Sequence, residues 1–415
     1  MKCACPTMTL APSGSVTGTA WNSMLSSMSR RSEAEPESIV TVAAAQVLRV
    51  YGKGALRSTS SCERKYRLRM SSPVLQTVDL GFRWPTIDPF LFCVHHLDHY
   101  PAANTDLGPA RDLAGRTIGQ DFDGIDGWRM YHGRTVPGFP QHPHRGFETI
   151  TFVRQGLVDH SDSLGAAARY GRGDVQWMTA GNGIVHAEMF PLLDRDRPNA
   201  LELFQIWINL PAADKMVEPH FGMLWADEIP HHVVTDAQGR TAEVTVIAGD
   251  LAGHRPPPPP PHSWAADPDH DVALWHVVLD PGASWEMPAA GAADSVRVLY
   301  VFEGAGLDVR DSGGDGQNLG GSTGAVVDSQ RTLRLQAGDE HVELLIMQAR
   351  PIGEPVAQQG PFVMNTNAEI AQAFDDYRRT HFGGWPWDRD DPVHGSSSAR
   401  FARHADGRVE QAVPA

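Results

Sequence analysis

The feature that most constrains this chain is a doubled series of short β-rich runs. From residue 71 onward, stretches of β-branched and aromatic residues recur at close spacing, broken by Gly, Pro and Asp: 90–95, 149–153, 174–178, 184–189 and 203–209. A second series follows at 243–248, 272–279, 296–303, 325–328, 332–336 and 342–348. Such spacing favours a sandwich or barrel over a helical fold. The two series also resemble each other. Residues 148–156 (ETITFVRQG) match 296–304 (VRVLYVFEG) in length and pattern, and 201–211 (LELFQIWINLP) match 342–351 (VELLIMQARP) with one residue fewer. A duplicated β-domain is the simplest reading.

The flanking and inserted segments differ in texture. Residues 1–70 are rich in Ser, Ala and Arg and hold no sustained period of 2 or 3.6. They read as a low-complexity leader or as an early start codon, with Met70 as the alternative beginning. Pro256 to Pro261 is an unbroken proline run, expected as an extended surface insertion. Residues 311–324 are Gly-rich and read as a loop between strands. Residues 367–379 place Ile370, Phe374 and Tyr377 at helical spacing, so a helix is expected there. The polar stretch from His381 offers Trp385 and Trp387 as anchors. The implied divisions are 1–70, 71–230, 231–366 and 367–415.

Charge and cysteines narrow the function classes. The formal net charge is −15, and residues 1–70 carry ten Lys/Arg against four Asp/Glu, which leaves about −21 for the remainder. An acidic body argues against direct nucleic-acid binding, which needs clustered cations. No run of about 18 apolar residues is present, so no membrane span is expected. Cys3, Cys5 and Cys62 lie in the leader and Cys93 in the body, which implies no disulfide framework. A reduced, cytoplasmic monomer is expected.

The chemistry concentrates in residues 141–156 and 173–190. Residues two apart on a strand share a face, so His142 projects with His144, and His186 with Glu188. Two neighbouring strands could deliver all four into one interior. Three imidazoles and a carboxylate suit Fe, Mn, Ni, Cu or Zn. With 19 histidines in 415 residues, one His-x-His is expected by chance, so the matched offsets beside Gly-rich turns are what raise the pair above coincidence. Phe152, Trp177 and Met178 read either as pocket lining near such a site or as plain core. Arg145 reads as a structural ion pair or as a guide for an anionic substrate.

Five segments together resemble the pirin family of bicupins: HPHRGFETITF (142–152), GDVQWMTAGNGIVHAEM (173–189), KMVEP (215–219), EIP (228–230) and GPFVMNTNAEI (360–370). The resemblance implies an all-β chain of two antiparallel β-barrel (cupin) domains with a short C-terminal helix. It implies one divalent metal, iron foremost, in the first barrel, on His142, His144, His186 and Glu188. In many other cupins the glutamate at the position of Glu148 is itself a ligand. Here Glu188 is expected in that role, with Glu148 behind it as an acceptor orienting an imidazole or Arg145.

The implied activity is that of a quercetin 2,3-dioxygenase, opening the C-ring of a flavonol with release of carbon monoxide. Its partners would be a small aromatic or enolic substrate and O2, with Glu188 also taking the substrate hydroxyl proton. The alternative is a metal- or redox-dependent regulator that docks on a protein partner, such as a transcription factor or metabolic enzyme.

Overall fold

A computed structural model describes residues 72–413 of the chain, so the expectations for residues 1–70 lie outside the described residues. The first strands are β1 (Val74–Asp79), β2 (Arg83–Trp84), β3 (Phe90–Tyr100), β4 (Gly138–His144), β5 (Phe147–Gln155) and β6 (Leu157–Asp162). They are followed by β7 (Ala167–Gly171), β8 (Val175–Thr179), β9 (Ile184–Met189), β10 (Asn199–Asn209) and β11 (His220–Leu224). The second series begins with β12 (His231–Thr235), β13 (Thr241–Ala248), β14 (Ala273–Leu279), β15 (Ser284–Met287) and β16 (Val296–Glu303). It continues with β17 (Gly306–Asp311), β18 (Gly316–Gly320), β19 (Thr323–Val327), β20 (Leu333–Ala337) and β21 (Val342–Ala349). The chain then adds β22 (Ala357–Gln359), β23 (Phe362–Met364), α1 (Asn367–Thr380), β24 (Phe401–Arg403) and β25 (Val409–Gln411).

The duplication is visible in the pairing. In the first module β5 lies between β8 and β10, and β10 pairs with β3. In the second, β16 lies between β19 and β21, and β21 pairs with β14. Even the register agrees, since Gln155 faces Glu202 where Glu303 faces Glu343.

The chain is mostly β with one short helix, as expected, but the expected barrels are pairs of open sheets. In the first module the sheet β11-β8-β5-β10-β3-β2 is hydrogen-bonded separately from β25-β24-β7-β6-β9-β4. In the second, a seven-stranded sheet and the sheet β15-β20-β17-β18 enclose a core with Val277, Leu299, Val309, Leu335 and Leu344.

Segment ends also cross the linear boundaries. Strand β1 adds to β19 of the second module, and Val74 joins that module's core. The polar tail, for which the sequence offers only Trp385 and Trp387 as anchors, supplies β24, which covers the open edge of β7. The Gly-rich segment 311–324 contains β18 rather than only a loop, because its backbone pairs with β17 through residues 306–320.

Strands β5, β8 and β10 are buried on both faces because one face looks into the first module and the other meets the second. Ile150, Phe152, Trp177, Phe204 and Ile206 pack in one core with Leu274, Val298, Tyr300, Leu345 and Met347. Alternation then turns Phe147, Thr149, Thr151, Gln176 and Met178 inward. At the edge of the interface Arg154 is 2.5 Å from both Glu202 and Glu343, one carboxylate from each module.

Candidate metal centre

His142 and His144 sit on β4, an edge strand, where Pro143 costs no ladder hydrogen bond on its free side. A register shift between Phe139 and His142 sets His142 directly opposite His186 of β9, and His144 opposite Ile184. Two tight glycines hold the flanking turns. Gly146, at φ 83°, runs so close to Val363 that a Cβ would lie 2.1 Å from its carbonyl oxygen. Gly183, at φ 133°, lies beneath the Phe382 ring, 2.6 Å from where a Cβ would be. Glycine is required at both. Buried Lys215, from the KMVEP segment, ties this corner together through Gly146 O, Asn209 Oδ1 and Val363 O at 2.8, 2.6 and 3.2 Å.

The three imidazoles converge. One ligand atom from each of His142, His144 and His186 lies within 4.8 Å of the others. The ring centroids of His142 and His186 are 4.4 Å apart. His142 Nδ1 is 2.9 Å from Pro140 O, and His144 Nδ1 is 3.3 Å from Pro361 O. Donation to those carbonyls protonates Nδ1 and leaves Nε2 as the electron-pair donor. Burial pushes His142 down to about 4 and His144 and His186 well below the usual histidine range. All three are therefore neutral at pH 7, the form that binds a metal.

His186 gives the test of fit. It is completely buried, and neither Nδ1 nor Nε2 has a hydrogen-bond partner. An unpaired buried imidazole nitrogen costs on the order of 1–3 kcal/mol. A divalent transition metal at the His142–His144–His186 convergence would engage one of these nitrogens, and the donor set suits it.

Glu188 is beside this cluster rather than within it. Its Oε2 is 4.0 Å from His186 Nε2, and its Oε1 is 3.0 Å from Thr151 Oγ1. Burial raises its carboxyl, an effect countered by His160, Thr151 and Tyr170. Thr151 Oγ1 is also 2.8 Å from the side-chain oxygen assigned to Gln205. One hydroxyl proton cannot serve two acceptors, so the Gln205 amide turns its NH2 to Thr151 when Thr151 donates to an ionised Glu188.

Other sequence candidates fall elsewhere. Glu148 points away from the histidines, because it lies on the face of β5 opposite Thr151. It accepts hydrogen bonds from Trp177 Nε1, Thr179 Oγ1 and Ser263 Oγ at 3.2, 2.6 and 2.5 Å, not from an imidazole or Arg145. Phe152 and Trp177 belong to the core between modules and not to a pocket at the site. Met178 faces inward and packs with Ala180 and Ile184. Arg145 is a structural anchor: Nε donates to Asn182 O at 2.7 Å and a terminal nitrogen to Asp376 Oδ2 of α1 at 2.9 Å.

Sequence reasoning missed Thr151, His160, Tyr170, Gln176 and Gln205. His160, on β6 opposite Glu188, has its ring 5.5 Å from that of His186. The available signal was polar side chains at alternate positions of fully buried strands.

Two β-modules of one topology, packed face to face with a histidine cluster inside the first, define a bicupin. Comparison with known proteins agrees: the pirin family model matches residues 118–208, and the model of the pirin C-terminal cupin domain matches 274–383. This chain belongs to the pirin family. It is 38% identical over 248 residues to a Pseudomonas aeruginosa protein provisionally named a quercetin 2,3-dioxygenase, covering 59% of this chain and 79% of that one. Human pirin is 34% identical over 275 residues, covering 65% and 87%. The crystal structure of quercetin 2,3-dioxygenase from Acinetobacter baumannii superposes with a TM-score of 0.57 at 26% identity, over 75% of this chain and 98% of that one.

Proposed function

We propose that this protein is a metal-dependent dioxygenase of flavonol-type substrates, with His142, His144, His186 and Glu188 holding one divalent transition metal, iron foremost. The observation that carries the reading is the convergence of three buried, neutral imidazoles within 4.8 Å, beside a carboxylate whose Oε2 lies 4.0 Å from His186 Nε2. Relatives named as quercetin 2,3-dioxygenases support the substrate class.

When bound, a redox-active metal would supply the electronic link between a chelated enolate and O2. The chain's own residues perform the remaining work. Carbonyl contacts from Pro140 and Pro361 fix the His142 and His144 rings. Thr151 holds Glu188 Oε1, which leaves Oε2 to accept the proton of the substrate's enolic hydroxyl. A carboxyl raised by burial is a better proton acceptor than an exposed one. The surrounding apolar residues, Phe147 and Trp207 beside His144, keep water from that face.

The test is O2 uptake and carbon monoxide release on adding quercetin to metal-loaded protein. Turnover is expected, and His144→Ala is expected to abolish it. Undiminished turnover by fully demetallated protein would sink the proposal.

A further inference from the structure

The interior behind Glu188 contains more unpaired polar chemistry than a hydrophobic core tolerates. Gln176 on β8 is the Cα partner of Thr151 on β5, and both face inward. It is completely buried, and neither its amide nitrogen nor its amide oxygen has a hydrogen-bond partner. Thr149 Oγ1, two residues before Thr151 on the same face, is likewise unpaired and buried. So is Nδ1 of His160, whose Nε2 is held 3.2 Å from Asp162. Native interiors leave few such atoms without a partner, because each loses its hydration and gains nothing in return. Here they adjoin the row Gln176–Thr151–Gln205, whose central Thr151 meets Glu188.

We propose that this part of the first-module interior is a hydroxyl-reading subsite, with Gln176 the specificity-determining residue. An amide with both ends free matches a group that donates and accepts at once, which is a hydroxyl. Thr149 and His160 offer the flanking contacts. The ligand class is a planar metal chelator carrying a further hydroxyl away from its chelating pair. This rests on the first-module interior being the ligand site, as proposed above. A hydroxyl can also come from ordered water, so the test separates water from ligand.

Binding to the full-length, metal-loaded protein is measured by calorimetry under anaerobic conditions for two matched pairs. One is quercetin against 3-hydroxyflavone, which lacks the additional ring hydroxyls. The other is kojic acid against allomaltol, small non-flavonol chelators differing by one hydroxyl. Wild-type protein is expected to favour the hydroxylated member by about tenfold or more. Gln176→Leu brings that ratio near one with little change for the deoxy member, and the variant melts at a higher temperature because an unpaired amide is gone. Gln176→Met, unbranched like glutamine, serves as the second variant.

A ratio near one in wild-type protein means water alone satisfies the amide and overturns the subsite. A ratio unchanged by both variants, or no binding in either pair, also overturns it. If only the kojic acid pair binds, with a Gln176-dependent ratio, the subsite stands and the flavonol reading falls.

Discussion

Glu148 accepts a 2.5 Å hydrogen bond from Ser263 of the second module, on the face of its strand turned away from the three histidines. Thr151, three residues along the same strand, faces the opposite way and meets Glu188. One strand therefore serves two purposes, joining the modules on one face and lining the candidate metal centre on the other.

Glu148 makes stability depend on pH in a direction unusual for a carboxylate. Burial pushes it from 4.5 up to about 7. The folded state therefore binds its proton more tightly than the unfolded state does. Its stabilising effect is full below about pH 4.5 and is lost as pH rises through about 7, on the order of 3 kcal/mol in all. Urea unfolding from pH 5 to 8 is expected to show wild-type stability falling relative to Glu148→Gln. Metal content should be unchanged in that variant. Parallel pH profiles for the two proteins would contradict this.

Thr151 is a positioning residue for Glu188. Thr151→Val removes the hydroxyl contact and is expected to weaken metal binding by about tenfold, with Thr151→Ser restoring it. Competition with a chromogenic chelator reads the affinity directly. Equal affinities for Val and Ser would show that the contact does not hold the carboxylate.

Arg145 joins the β4–β5 turn to α1 through Asp376, with its guanidinium carbon 4.5 Å from the Phe382 ring centroid. Arg145→Ala is expected to cost about 2 kcal/mol in chemical unfolding, since it leaves Asn182 O without its donor and removes packing on Phe382, while Asp376 keeps Arg379 and Gln372. Quercetin affinity should stay within about twofold. A large loss of affinity with unchanged stability would instead assign Arg145 to the substrate.

Much of this architecture is legible in the sequence because strand periodicity is local. The runs at 149–153 and 296–303 lie within β5 and β16, and the offset of two in His142/His144 and His186/Glu188 gives each pair a shared face. Periodicity separates the two faces of β5 but does not say which one looks inward. That depends on β10 and on the second module, which is why the sequence offers Glu148 beside Glu188 as a ligand candidate and passes over Thr151. Gln176, Gln205 and His160 lie on three strands, so no local motif marks them. The pairing of β1 with β19 joins residues some 250 positions apart and likewise leaves no local trace.

The central claim is that turnover depends on a metal held by His142, His144, His186 and Glu188. Its most direct test is metal content per chain, by mass spectrometry, plotted against quercetin-dependent O2 uptake for samples of graded loading. A proportional rise towards one metal per chain is expected, with His144→Ala lying at the origin. Turnover independent of loading, or a His144→Ala variant that keeps both metal and activity, would contradict it.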